Sequence, residues 1–169
     1  QKGLKITIST SSFVPKPFTP FQWEPQNTME ELREKQRFLK EALRLKHVDY
    51  NWHDPETSYL EAIFARGDRR LGSVLLSAWE KGARFDGWAE LFRMDAWMEA
   101  FRENGLEPEF YAYRRRERDE ILPWDHLDPG VSKAFLWHEW QKAQRGETTL
   151  DCRIDCSGCG IRKLGEGLC

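Results

Sequence analysis

Apolar and polar residues alternate from Leu4 to Thr10, with Leu4, Ile6 and Ile8 on one side and Lys5, Thr7 and Ser9 on the other. This period of two predicts a β-strand. It runs into Ser11 to Phe21, where Pro15, Pro17 and Pro20 each fix φ and remove an N–H donor, so a stiff extended loop is expected. Thr28 followed by Glu31 makes a capping box, opening a helix to about Lys46 with Leu32, Leu39 and Leu43 on one face. Val48 to Trp52 reads as a second strand. Asp54 before Pro55 reads as an N-cap with proline at the first helical position, starting a helix that carries Leu60, Ile63 and Phe64 and stops near Gly67.

Asp68 is the expected cap of the next helix, which carries Leu71, Val74, Leu75, Ala78 and Trp79 and ends near Gly82. Trp88 to Asn104 predicts a further helix or a broken pair, stopped by Gly105. Glu109 to Tyr113 reads as a short third strand. Asp128-Pro129 repeats the cap signature and predicts a helix to about Arg145, after which the chain turns polar and cysteine-rich. The expected fold class is α+β and helix-rich, in three segments: 1–27, a strand with its proline loop; 28–146, mainly helical; 147–169, a metal-binding tail.

Composition narrows this little further. The 169 residues are 40% hydrophobic and 13% aromatic, enough for a folded core. Lys and Arg (26) nearly balance Asp and Glu (28), so the net charge of -2 carries no overall bias toward nucleic acid or an anionic membrane. No apolar run approaches the roughly 18 residues of a membrane span, and the charged, short-runned start is no secretory signal. A cytoplasmic protein is expected, and the lack of an initiator Met suggests a piece cut from a longer chain.

All four cysteines lie in the tail: Cys152, Cys156, Cys159 and Cys169. In a reducing compartment that grouping points to a metal centre rather than a disulfide framework. Gly158 and Gly160 permit the tight backbone such a centre needs. A tetrahedral zinc and an iron–sulfur cluster both fit four thiolates; the three-plus-one grouping leans toward the cluster, with zinc as the alternative.

The stretch Phe13-Val14-Pro15-Lys16-Pro17-Phe18-Thr19-Pro20-Phe21-Gln22-Trp23, straight after a strand, resembles the end of the barrel in radical SAM enzymes carrying a cobalamin-binding domain. Trp52-His53-Asp54-Pro55-Glu56, Arg66-Gly67-Asp68-Arg69-Arg70, Phe85-Asp86-Gly87-Trp88, Leu122-Pro123-Trp124-Asp125-His126 and Asp151-Cys152-Arg153 resemble one branch of the same family. The resemblance implies that the first strand is the last of a barrel, and that the whole enzyme cleaves S-adenosylmethionine at an open-site [4Fe–4S] cluster. The cluster motif, the barrel and the cobalamin domain would then lie upstream, as partners within the same protein. Cys152, Cys156 and Cys159 share the three-and-two spacing of the family's cluster motif. That motif opens a barrel, however, and only residues 160–169 follow here, so the tail reads as an auxiliary centre. The chain alone is expected to be inactive, with methyl or methylthio transfer as the reaction suggested by analogy.

If the first strand closes a barrel, its C-terminal end faces the active site. Ser9, Thr10 and Ser11, with Pro15 and Lys16 of the loop, are therefore the candidate contacts for S-adenosylmethionine or substrate. Trp79 and Trp97 read as core, as do Trp137 and Trp140 on helical spacing. His53 and His126 sit at turns, where a local hydrogen bond competes with a metal or acid–base role. Arg114-Arg115-Arg116-Glu117-Arg118 follows Phe110-Tyr111-Ala112-Tyr113, a basic and aromatic combination able to bind single-stranded RNA. A zinc-stabilised helical module recognising RNA or a protein partner is the second functional reading.

Overall fold

The computed structural model describes residues 3–165. They pack as two units: one of residues up to Val14 with Pro25–Arg114, the other of Pro15–Glu24 with Arg115 onward.

The first unit begins with β1 (Ile6–Thr10), followed by α1 (Met29–Ala42) and β2 (Val48–Trp52). The capping box closes as expected: Glu31 N donates to Thr28 Oγ1 at 3.2 Å, and Thr28 N donates to Glu31 Oε2 at 2.8 Å. β1 and β2 pair in parallel, in register from Ile6 opposite Val48 to Thr10 opposite Trp52. Parallel neighbours need a long crossover, and α1 supplies it. β1 is therefore followed by a second strand parallel to it. The sheet is open and two-stranded, and no closed barrel is present among the described residues. Ile6 and Trp52 remain 46% and 43% exposed on it, and Leu4 just before it 59%.

The helix-rich remainder of this unit holds its core. Asp54 caps α2 (Pro55–Arg66), its Oδ1 accepting from Glu56 N at 2.9 Å and Thr57 N at 3.0 Å. α2 buries Tyr59, Ala62 and Ile63 at the three-to-four spacing of a helix face. Gly67 ends it by leaving the helical conformation, with an extended backbone at φ -72° and ψ 170°. Asp68 holds the following turn by accepting from Arg70 N, and α3 (Leu71–Glu80) starts only after it. Leu71, Val74 and Ala78 are buried, but Leu75 and Trp79 are exposed, so Trp79 is not core. Its ring lies instead under the Arg84 guanidinium, 4.8 Å from ring centre to Cζ. The broken-pair expectation resolves as turns around Phe85–Leu91 followed by α4 (Met94–Glu103), where Ala96, Ala100 and Phe101 are buried and Trp97 packs edge-on against Phe64.

The predicted third strand is a helix, α5 (Pro108–Ala112). Proline at its first position presets the helical φ, and a run this short carries no reliable period. Its C-terminal carbonyls are satisfied by Arg66, a fully buried guanidinium that donates to Tyr111 O, Ala112 O and Arg114 O at 2.6, 2.8 and 2.6 Å.

The second unit is built on α6 (Lys133–Gln144) and a core of Trp23, Leu122, Trp124 and Leu136. Trp137 and Trp140 stack on each other at 4.5 Å, and Trp137 meets Trp23 edge-on at 5.0 Å. Asp128 does not open the helix. Its carboxylate accepts from Gly130 N at 2.9 Å, Gly130 sits at φ +85°, and Ser132 takes over as N-cap by accepting from Phe135 N. Among the described residues no helix is long and apolar enough to cross a membrane.

Candidate functional site

Parallel strands present their C-terminal ends side by side, and in open α/β sheets ligands gather there. At this end Thr10 and Tyr50 share a hydrogen bond between their hydroxyls at 2.8 Å, and the Thr10 carbonyl accepts from His53 N at 3.1 Å. Ser9 and Ser11 are exposed. Ser12, the next residue, was not singled out by the sequence, yet its Oγ is buried with no partner among the described residues. His53 makes a local bond, Nδ1 to Ser58 Oγ at 2.9 Å, in the first turn of α2. This is a cap-side contact and leaves one ring nitrogen unassigned.

Pro15 and Lys16 belong to the other unit. Pro15 is buried, Lys16 is exposed, and the Lys16 carbonyl accepts from Thr19 Oγ1 at 2.9 Å to tighten the loop. The loop's packing side is Gln22-Trp23. Both are buried, and Trp23 O accepts from Arg116 N at 2.9 Å.

The basic run is spoken for. Arg114 lies over the Phe110 ring and Arg118 over Trp137. Arg115 pairs with Glu24 at 2.6 Å. Arg116, only 3% exposed, lies over Trp124 at 5.1 Å. Guanidinium faces engaged by rings and carboxylates inside the fold contribute less to a surface for phosphate than their number suggests.

The tail is docked at two places. Thr149 Oγ1 donates to the Glu139 carboxylate at 2.5 Å while accepting from Lys142 Nζ at 2.8 Å. Further on, the Cys159 carbonyl accepts from Ser132 N at 2.8 Å, and Lys163 pairs with Asp128 at 3.0 Å. Ile161 and Leu164, in a short 3-10 helix, close over Gly130, where a Cβ would stand 2.5 Å from each side chain. Lys163 and the Gly130 N–H hold the Asp128 carboxyl below its ordinary range. Cys152 and Cys156 are exposed and Cys159 half-buried, all three as free thiols. Gly158 and Gly160 flank Cys159 at φ +71° and +110°, a left-handed backbone that glycine adopts without a Cβ penalty. Among the described residues no three Cys, His, Asp or Glu side chains stand together closely enough to hold a metal ion. Cys169 lies outside the described residues.

His126 lines a cavity in the second unit together with Gln22 and Trp124, two residues the sequence offered no reason to join. No family model, no curated protein and no solved structure matches the chain.

Proposed function

We propose that this chain is the C-terminal region of a radical SAM iron–sulfur enzyme. In this reading it contributes strands to the catalytic barrel and carries an auxiliary metal centre in its tail. The observation that carries the reading is the cysteine loop: thiols at 152, 156 and 159 on a segment tied down at Thr149 and again at Cys159 to Leu164. A loop pinned at both ends pays little extra chain entropy when its thiolates converge. The positive-φ glycines beside Cys159 add backbone donors of the kind that bond to cluster sulfur. Cys152, Cys156 and Cys159 would hold the group, with Cys169 as the fourth ligand. A cluster there would supply one-electron chemistry, whereas zinc would supply folding energy alone.

The sheet supports the same reading. Parallel sheets occur with both faces covered, and β1–β2 has exposed apolar residues and only two strands. Further strands from the same protein are the natural cover, with the open-site [4Fe–4S] cluster, S-adenosylmethionine and cobalamin bound by upstream segments. The residues named at the strand end, Ser9, Thr10 and Ser11, would then face the barrel mouth. Pro15 and Lys16 would shape the loop that follows.

Metal and acid-labile sulfide analysis of protein purified without oxygen tests this. Iron and sulfide are expected, and both fall to background when Cys152, Cys156 and Cys159 are changed to Ala. Zinc without sulfide would make the tail a structural knot and favour the binding-module reading. Absence of any metal would remove the auxiliary centre. The isolated chain is expected to release no 5′-deoxyadenosine from S-adenosylmethionine.

A further inference from the structure

The second unit contains a cavity of about 540 Å³, within the usual size range of small-molecule sites. Its walls are Phe18 and Gln22 from the proline loop, Trp124, and Val131 and Leu136 at the start of α6. Gln22 is only 2% exposed. Its Oε1 accepts from Trp124 Nε1 at 2.7 Å and from Phe18 N at 3.1 Å. Both partners can only donate, so the orientation of the amide is settled: the oxygen points at them and the NH₂ does not. Among the described residues nothing accepts from that NH₂, and Gln22 lines the cavity. An amide donor with no protein acceptor is free to meet the acceptor of a ligand.

Two further observations point the same way. Phe18 adopts φ +58°, an outlier for a bulky side chain, and it is this backbone that aims its N–H at Gln22. The cavity also receives the N-terminus of α6, whose partial positive charge favours an electron-rich ligand atom. The charged rim is neutralised: Lys133 pairs with Asp125 at 2.6 Å and Lys163 with Asp128 at 3.0 Å. An uncharged ligand therefore fits better than a phosphate. We infer that this cavity binds a small uncharged molecule bearing a carbonyl acceptor, for which nucleosides serve as probes, with Gln22 Nε2 donating to that carbonyl. The inference is independent of the metal in the tail, because no cysteine lines the cavity.

Gln22→Glu provides the test, since it keeps an oxygen for Trp124 and Phe18 but replaces the cavity-facing donor with an acceptor. Binding of uridine and inosine, which present a ring carbonyl, and of adenosine, which presents an amine, is followed by tryptophan fluorescence and calorimetry. The wild-type chain is expected to prefer the carbonyl-bearing nucleosides by about tenfold, the worth of one hydrogen bond. Gln22→Glu is expected to lose or reverse that preference while its near-UV circular dichroism stays native. Lack of saturable binding by the wild-type chain, or an unchanged preference in a folded Gln22→Glu protein, would overturn the inference.

Discussion

Single residues carry unusual weight where a charge is buried. Arg66 is inside the fold and supplies three hydrogen bonds to carbonyls at the end of α5. Arg66→Met would leave those carbonyls without donors, and a loss of about 3 kcal/mol or more is expected in urea denaturation. Arg66→Lys, with one ammonium for three acceptors, should recover only part of it. Asp128 gives a pH prediction. Its carboxyl is held low, so its contribution is complete above the ordinary carboxylate value of about 3.9 and is lost as pH falls through the lower folded value. The anchoring of Ile161–Leu164 should therefore survive at pH 5 and loosen only under stronger acid. Lys163→Ala should move the Asp128 titration, followed by carbon NMR, back up toward the ordinary value.

At the scale of elements, local caps and tertiary caps divide the work. α1 begins on the Thr28–Glu31 box, and its first turn is also the end that packs, with Leu32 buried and Met29 N donating to Tyr113 Oη at 3.3 Å. Thr28→Ala should cost about 1 kcal/mol and fray the first turn of α1, visible as faster amide exchange there. α5 is the opposite case. It has five residues and no side-chain N-cap bond, and it is stabilised by a guanidinium from α2. An isolated peptide covering Glu107 to Arg114 should therefore show no helical circular dichroism, because nucleation is too costly for so short a segment.

Across the whole molecule, protection should be uneven. The core of the first unit lies among α2, α3, α4 and α5, where Ala62, Ile63, Val74 and Ala100 are fully buried. The parallel pair lies outside that core, with exposed apolar residues and open edges. Hydrogen exchange should be much faster at Val48–Trp52 than at Ala62, Ile63 or Ala100, because the strands open without breaking the helical core. Equal protection would mean that the sheet is part of the cooperative unit. Adding the barrel strands proposed to cover it should slow β1 and β2 selectively.

What the sequence determined by itself is what neighbours along the chain decide. β2 was legible from Val48 to Trp52 because β-rich residues end there at a turn. The starts of α1 and α2 were legible because Thr28–Glu31 and Asp54–Pro55 satisfy orphan N–H groups within three residues. The cysteine grouping at 152, 156 and 159 was equally plain. Tertiary structure decided the rest. Glu109–Tyr113 became helix because a distant arginine supplies its C-terminal donors, and α6 starts at Lys133 because Asp128 spends its carboxylate on the Gly130 turn. Trp79 met solvent because a helix has more apolar positions than the core has room to cover. The bond from Trp124 to Gln22 joins positions 102 residues apart, and the docking of Ile161 and Leu164 on Gly130 depends on contact rather than pattern. Periodicity and capping are local energies written in order along the chain, whereas a cavity exists only once separate segments have met.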